Sequence, residues 1–218
     1  MLTDIQIENN KKEFITLIKK ITREWALINE LLQKLENSDF YIAPASTQYH
    51  SAFRGGLCQH SLNVYKQLKK LIEVEYPRFK VDDQGERYAV DNYKAPYSDE
   101  TLIIVALLHD LSKMNFYEVS TRNVKDENGQ WTQVPFIKVR EVYERFTYSH
   151  HGANSEYMIG RFIPLTFDES RAIIHHMGWA DEHATTYLIS EVFEKCKLAL
   201  YLHTADLLAT YIDEGISE

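Results

Sequence analysis

A mostly α-helical fold decorated with small β-hairpins is what three features of this sequence predict. Apolar residues recur at near-helical spacing early in the chain, later segments carry helix-start signals, and two short β-rich stretches each turn on a glycine. Between residues 4 and 36 the apolar set is Phe14, Leu17, Ile18, Ile21, Trp25, Ile28, Leu31, Leu32 and Leu35, which predicts one long amphipathic helix or two stacked ones whose job is packing. The loop NSDFYIAPASTQYHSAFRGG leads into a second helix, which starts near Leu57, runs through CQHSLNVYKQLKKLIEVEY and is stopped by Pro77.

FKVDDQGERYAV predicts a short hairpin or irregular insertion turning at Gln84 and Gly85. Ser98 has the hydroxyl to cap the helix that carries TLIIVALLHD. A second hairpin follows, with FYEVSTRNVKD and QWTQVPFIKVRE as β-rich arms around an Asn-Gly turn in ENG. Its aromatic residues, Trp131 and Phe136 among them, are expected to pack rather than to cover a ligand. From residue 147 the pattern is helical again. In LTFDESRAIIHHMG, Thr166 and Glu169 have the spacing of a capping box, and Gly178 closes a short helix that ends on His175 and His176. A last helix is expected over roughly 186 to 213.

With 218 residues, 44% of them hydrophobic, the chain is long enough for one sizeable core. Residues 1–46 are expected to form a helical extension packing on a core domain of residues 47–218, with hairpin insertions near 78–97 and 115–142. The longest apolar stretch is far below the ~20 residues that span a bilayer, so no membrane association is expected. MLTDIQIENNKKEF has no basic-then-apolar signal pattern, so a cytoplasmic location is expected. Cys58 and Cys196 form no C-x-x-C and suit buried thiols in a reducing compartment. A net charge of −8 argues against a broad basic surface for long nucleic acid, and extended nucleic acid is not the favoured partner. A small phosphorylated ligand remains compatible, because a bound divalent metal can dominate the local field.

ALLHDLSK poses the chemical question. An apolar run, Leu102 to Leu108, ends in adjacent His109 and Asp110, and burying a carboxylate beside an imidazole is costly unless something pairs with both. A metal ion is the candidate partner. Further histidines and acids stand in apolar or helix-end settings: His60, the doublets His150-His151 and His175-His176, and Asp206. Helices in a bundle can aim such side chains inward to build a metal site. Imidazole and carboxylate together suit Mn, Fe, Co, Ni or Zn better than Mg. Taken singly, each has a plainer reading as a surface or hydrogen-bonded residue, and His50, His183 and His203 are left with it as far as metal ligation goes.

The same residues carry a resemblance. GGLCQHSLNV, ALLHDLSK, SHHGANSEYMI and HTADLLA, in that order, resemble the ligand segments of the HD superfamily of metal-dependent phosphohydrolases, over residues 49 to 211. The resemblance implies an HD-domain helical bundle. It implies that His60, His109, Asp110 and Asp206 hold a first metal, and that Asp110 bridges to a second completed by His151 and His176, with His150 and His175 in reserve. Lys113, one turn beyond the pair, resembles the family's HDxxK lysine and is expected to bind a phosphate oxygen. Arg54 and His50 are expected near the substrate.

Ser112 stands where many relatives have glycine, Gln59 where several have Glu, and the Gly-Tyr-Pro mark of cyclic-dinucleotide hydrolases is missing after HHMGW. The function this implies is hydrolysis of a phosphomonoester or phosphodiester of a nucleotide or related small substrate by a metal-activated water, with two divalent ions as cofactors. A 3′-to-5′ exonuclease and a di-iron oxygenase are the alternatives, since both chemistries occur on relatives with this ligand order. A degenerate, binding-only domain is disfavoured by the complete ligand set.

Overall fold

A computed structural model describes residues 2–48, 51–181 and 183–215. Among these residues, eight α-helices and two antiparallel hairpins give a mostly α architecture. The 4–36 segment resolves into α1 (Asp4–Ile18) and α2 (Trp25–Glu36). Their break is held by α4 (Asp99–Leu108): the amides of Thr22 and Arg23 donate to Glu100 Oε1 at 2.5 and 3.1 Å, and Glu24 takes a left-handed φ of 46°. The break also resets the helical phase, so Trp25, expected on the packing face, is 69% exposed.

α3 (Gly56–Glu75) begins one residue before its expected start. Gly56 is there for space, since a Cβ would lie 2.0 Å from the backbone oxygen of Ser51. β1 (Phe79–Val81) pairs with β2 (Arg87–Ala89) around the expected turn, and the Ser98 hydroxyl accepts from Thr101 N at 3.1 Å to cap α4. Leu102 through Leu108 are all buried. β3 (Tyr117–Lys125) and β4 (Trp131–Val139) pair from Tyr117↔Val139 to Lys125↔Trp131. The turn is a loop over 126–130, in which Asp126 Oδ1 accepts from the amides of Asn128 and Gln130. This hairpin packs its aromatics only in part: Tyr117 is buried and Phe136 half-buried, but Trp131 is not. Trp131 is 68% exposed, and no residue of either arm enters the apolar core cluster.

α5 (His151–Gly160) and α6 (Phe167–Ile174) follow, and the capping box at Thr166 and Glu169 is present. α6 ends at Ile174 with His175 as its C-cap, so Gly178 belongs to the next short turn rather than to the helix end. The expected last helix is two, α7 (Thr186–Lys195) and α8 (Lys197–Leu208), because Cys196 is extended (φ −125°, ψ 91°). A π-helical turn, Ala209–Asp213, then swings the chain back toward α3. Cys58 and Cys196 are buried free thiols. The buried apolar cluster takes in Phe14 and Ile18 of α1, Leu31 of α2, Leu57 and Leu68 of α3, the whole α4 run, Ile159, Ile173 and Leu202. At about 1.5–3 kcal/mol for each large apolar side chain buried, this cluster is what fixes the ends of α3 to α6 and α8 relative to one another. Among the described residues, no helix is long and apolar enough to cross a membrane.

Candidate metal centre

The apolar run of α4 stops at His109, its C-cap, and Asp110 follows at the start of a short 3-10 turn, Leu111–Lys113. That stop delivers both side chains to a point where α3, α5, α6 and α8 converge. Asp110, 2% exposed, lies at the middle. Its Oδ1 is 2.5 Å from His151 Nε2 and 3.6 Å from His176 Nε2, while its Oδ2 is 3.6 Å from His109 Nε2 and 3.8 Å from His60 Nε2. His60 Nε2 is also 3.1 Å from Asp206 Oδ1. The six expected ligands thus come together. Two triads, His60-His109-Asp206 and His109-Asp110-His176, offer one ligand atom each, all within 4.8 Å of one another within the triad, and these buried groups can hold a metal ion.

The imidazoles are oriented from behind. His109 Nδ1–H donates to Ala106 O at 2.8 Å and His176 Nδ1–H to Ile173 O at 2.7 Å, each reaching the carbonyl three residues earlier at its own helix end. This sets the tautomer and leaves Nε2 as a bare lone pair. Both Nε2 atoms are buried without a hydrogen-bond partner among the described residues. Two unsatisfied acceptors side by side, with ring centroids 4.9 Å apart and facing a carboxylate, are costly in a dry interior. A cation satisfies both at once, so the residues present fit a divalent metal. Backing of the outer ring nitrogen is the usual support of a metal-ligating histidine.

Electrostatics divide the imidazoles of the cluster. Burial, reinforced by the neighbouring imidazoles His176 and His60 against the pull of the carboxylates, drives the His109 pKa down to about 3, so its ring is neutral. For His151, burial likewise outweighs the attraction of Asp110 and lowers the pKa. His60 goes the other way: burial would lower it, but Asp206 on Nε2 and Glu214 on Nδ1 raise it to about 10. Burial opposes ionisation of Asp110, yet Lys113 and the imidazoles of His109 and His151 hold its carboxyl well below the usual range. Asp206 is also lowered, burial being overcome by His60.

Of the other expected residues, among those described only Lys113 touches the cluster. Lys113 is 14% exposed and donates to Asp110 Oδ2 at 2.7 Å. Arg54 is an exposed side chain that donates to Asp4 Oδ1 at 2.5 Å. His50 lies outside the described residues. His150, the N-cap of α5, has its Nδ1 2.9 Å from Asp181 Oδ2 without hydrogen-bond alignment and stands 5.5 Å from the His183 ring. His175 is half-buried beside it, its pKa lowered by burial and then by His150. His203 donates from Nδ1 to His176 O at 2.7 Å and stacks on Phe193, a packing role.

Two supports were not foreseen. Glu214, delivered by the π-turn, has Oε1 3.1 Å from His60 Nδ1, and it accepts from Asn63 at 3.0 Å and from the Ser51 hydroxyl at 2.6 Å. Ser112, noted in the sequence only as a departure from glycine, places its Oγ 2.8 Å from His151 Nδ1, and its amide donates to Ser155 Oγ. The serine in LSK was the available signal for the second. Nothing local marked the first. No family model matches the chain, and neither the curated proteins nor the solved structures contain a match to it.

Proposed function

We propose that this chain is a metal-dependent phosphohydrolase with an HD-type helical bundle, acting on a nucleotide or related small phosphate ester. The observation that carries the reading is the pair of buried, unpartnered Nε2 atoms of His109 and His176, facing Asp110. In this reading His60, His109, Asp110 and Asp206 hold one divalent ion, and Asp110, His151 and His176 a second. Bound ions supply the acidity that activates a water and the charge that offsets developing negative charge at phosphorus.

The chain's own groups do the rest. Ala106 O, Ile173 O, Glu214 and Ser112 each engage the outer nitrogen of one imidazole, so four rings are preorganised before any ligand arrives. Lys113, a largely buried side chain, keeps Asp110 ionised and offers a point charge to a phosphate oxygen. The buried apolar wall of α4 behind the site limits water and strengthens each of these interactions.

Purified protein loaded with Mn or Ni is expected to release phosphate or nucleoside from a nucleotide panel, and Asp110→Ala to lose that activity. Full metal occupancy with no hydrolysis contradicts the proposal. Oxygen consumption by the iron-loaded protein, again without hydrolysis, contradicts it in favour of an oxygenase.

A further inference from the structure

α3 and α4 deliver His60 and His109 to the metal centre, and their opposite ends build a second cavity. The C-terminal turns of α3, the start of α4 and the β1–β2 hairpin enclose a groove of about 490 Å³. At about 1.5 Å rise per residue, Tyr76 lies about 24 Å along α3 from His60, and Asp99 about 15 Å along α4 from His109. The groove is therefore separate from the His/Asp cluster.

Its lining combines flat ring faces with cations. The Arg87 guanidinium lies over the Phe79 ring, 4.2 Å from its centroid, and that of Arg78 over Tyr93 at 5.5 Å. A cation–ring contact uses none of the guanidinium's N–H donors on an acceptor, so they stay available for a bidentate one. Neither arginine side chain, nor that of Lys69 on the adjoining turn of α3, forms an ion pair or a hydrogen bond among the described residues. Three uncommitted cations converging on one cavity suit a phosphate. Tyr76 and Tyr97 add further ring surface. Glu73 and Asp99, also in the lining, can accept from the hydroxyl or amino groups of a sugar and base. The volume matches one small molecule rather than a polymer.

We propose that this groove is a distinct ligand site that takes a nucleoside phosphate, with the phosphate on Arg78, Arg87 and Lys69 and the base against the ring faces. The site is independent of the reading of the metal centre. Its test is calorimetric titration of the full chain in EDTA, which leaves the metal centre without ions, with ADP, adenosine and inorganic pyrophosphate as separate probes.

ADP is expected to bind one to one, more tightly than either fragment. Arg78→Gln combined with Arg87→Gln is expected to weaken ADP by about tenfold or more, the loss of one or two charge-assisted hydrogen bonds. Lys69→Gln, which leaves the hairpin untouched, is expected to weaken it less, and Asp110→Ala to leave it unchanged. Absence of ADP binding at millimolar nucleotide overturns the proposal. So does binding that survives the arginine and lysine substitutions, or that disappears in Asp110→Ala. Because the last comparison runs without metal, failure here leaves the phosphohydrolase reading standing, and an inert metal centre leaves this one standing.

Discussion

Gly152→Ala probes the joint that brings two of the proposed ligands together. Gly152 follows His151 at the start of α5, where the helix crosses the end of α6, and an added Cβ would lie 2.1 Å from Ile174 O and 2.7 Å from Ile173 O. A carbon approaches a carbonyl oxygen to about 3.3 Å, so the two backbones must part by about 1.2 Å. The atoms that would clash are backbone, which no rotamer change can move aside. Overpacking of this kind costs about 1–3 kcal/mol, which for a chain of this size lowers Tm by about 2–12 °C. The same separation pulls His151 away from His176, whose ring centroids are 5.3 Å apart. Melts followed by circular dichroism, in EDTA and with excess Mn or Zn, read both effects. The variant is expected to melt lower in EDTA and to gain less from metal than the parent, since the gain scales with affinity for the folded state. An unchanged Tm together with an unchanged metal-induced gain would refute the argument that close approach of α5 and α6 builds the site.

Other outcomes follow from the same contacts. Arg23 donates to both oxygens of the fully buried Glu169 at 2.7 Å and to Glu100 at 3.0 Å, so Arg23→Met strands a buried carboxylate and is expected to cost about 3–5 kcal/mol in denaturant unfolding. Glu169 and Glu100 are both held below their ordinary pKa of 4.5: burial opposes this, but Arg23 and backbone amides prevail. Because the unfolded chain takes up these protons more readily, their contribution is complete above about pH 4.5 and is lost as pH falls through the lower folded values; acid melts should show the loss, and Glu169→Gln should flatten it. Glu214→Ala leaves His60 Nδ1 without its carboxylate and is expected to weaken divalent-metal binding by about 10–100-fold in a chelator-competition titration. Trp25→Ser, at a largely exposed position, should change unfolding free energy by no more than about 0.5 kcal/mol.

What the sequence made legible was local. Caps at Ser98 and Thr166 depend on a hydroxyl meeting an amide three residues on, and both form as expected. The His109-Asp110 pair could be placed at a helix end because the apolar run before it has no polar face to offer solvent. The breaks were not legible. The break before Glu24 is held by Glu100, far along the chain, which accepts the amides of Thr22 and Arg23, and that contact leaves no trace in a 3.6-residue period. Once the phase is reset there, Trp25 no longer belongs to the stripe in which its spacing places it. The division at Cys196 likewise interrupts a continuous apolar pattern. Within the site, residues aimed at its centre could be named from their types and settings. Those that hold them from behind, Glu214 through the π-turn and the carbonyls of Ala106 and Ile173, follow from backbone geometry and tertiary approach, which residue type does not encode.

Crystals grown with Mn and measured at its absorption edge test the central claim most directly. The account predicts anomalous density bonded to His109 Nε2 and His176 Nε2, the two buried ring nitrogens without a hydrogen-bond partner, and to the Asp110 carboxylate they face. Density confined to surface carboxylates, with the His109-Asp110-His176 cluster free of metal at saturating Mn, would contradict it.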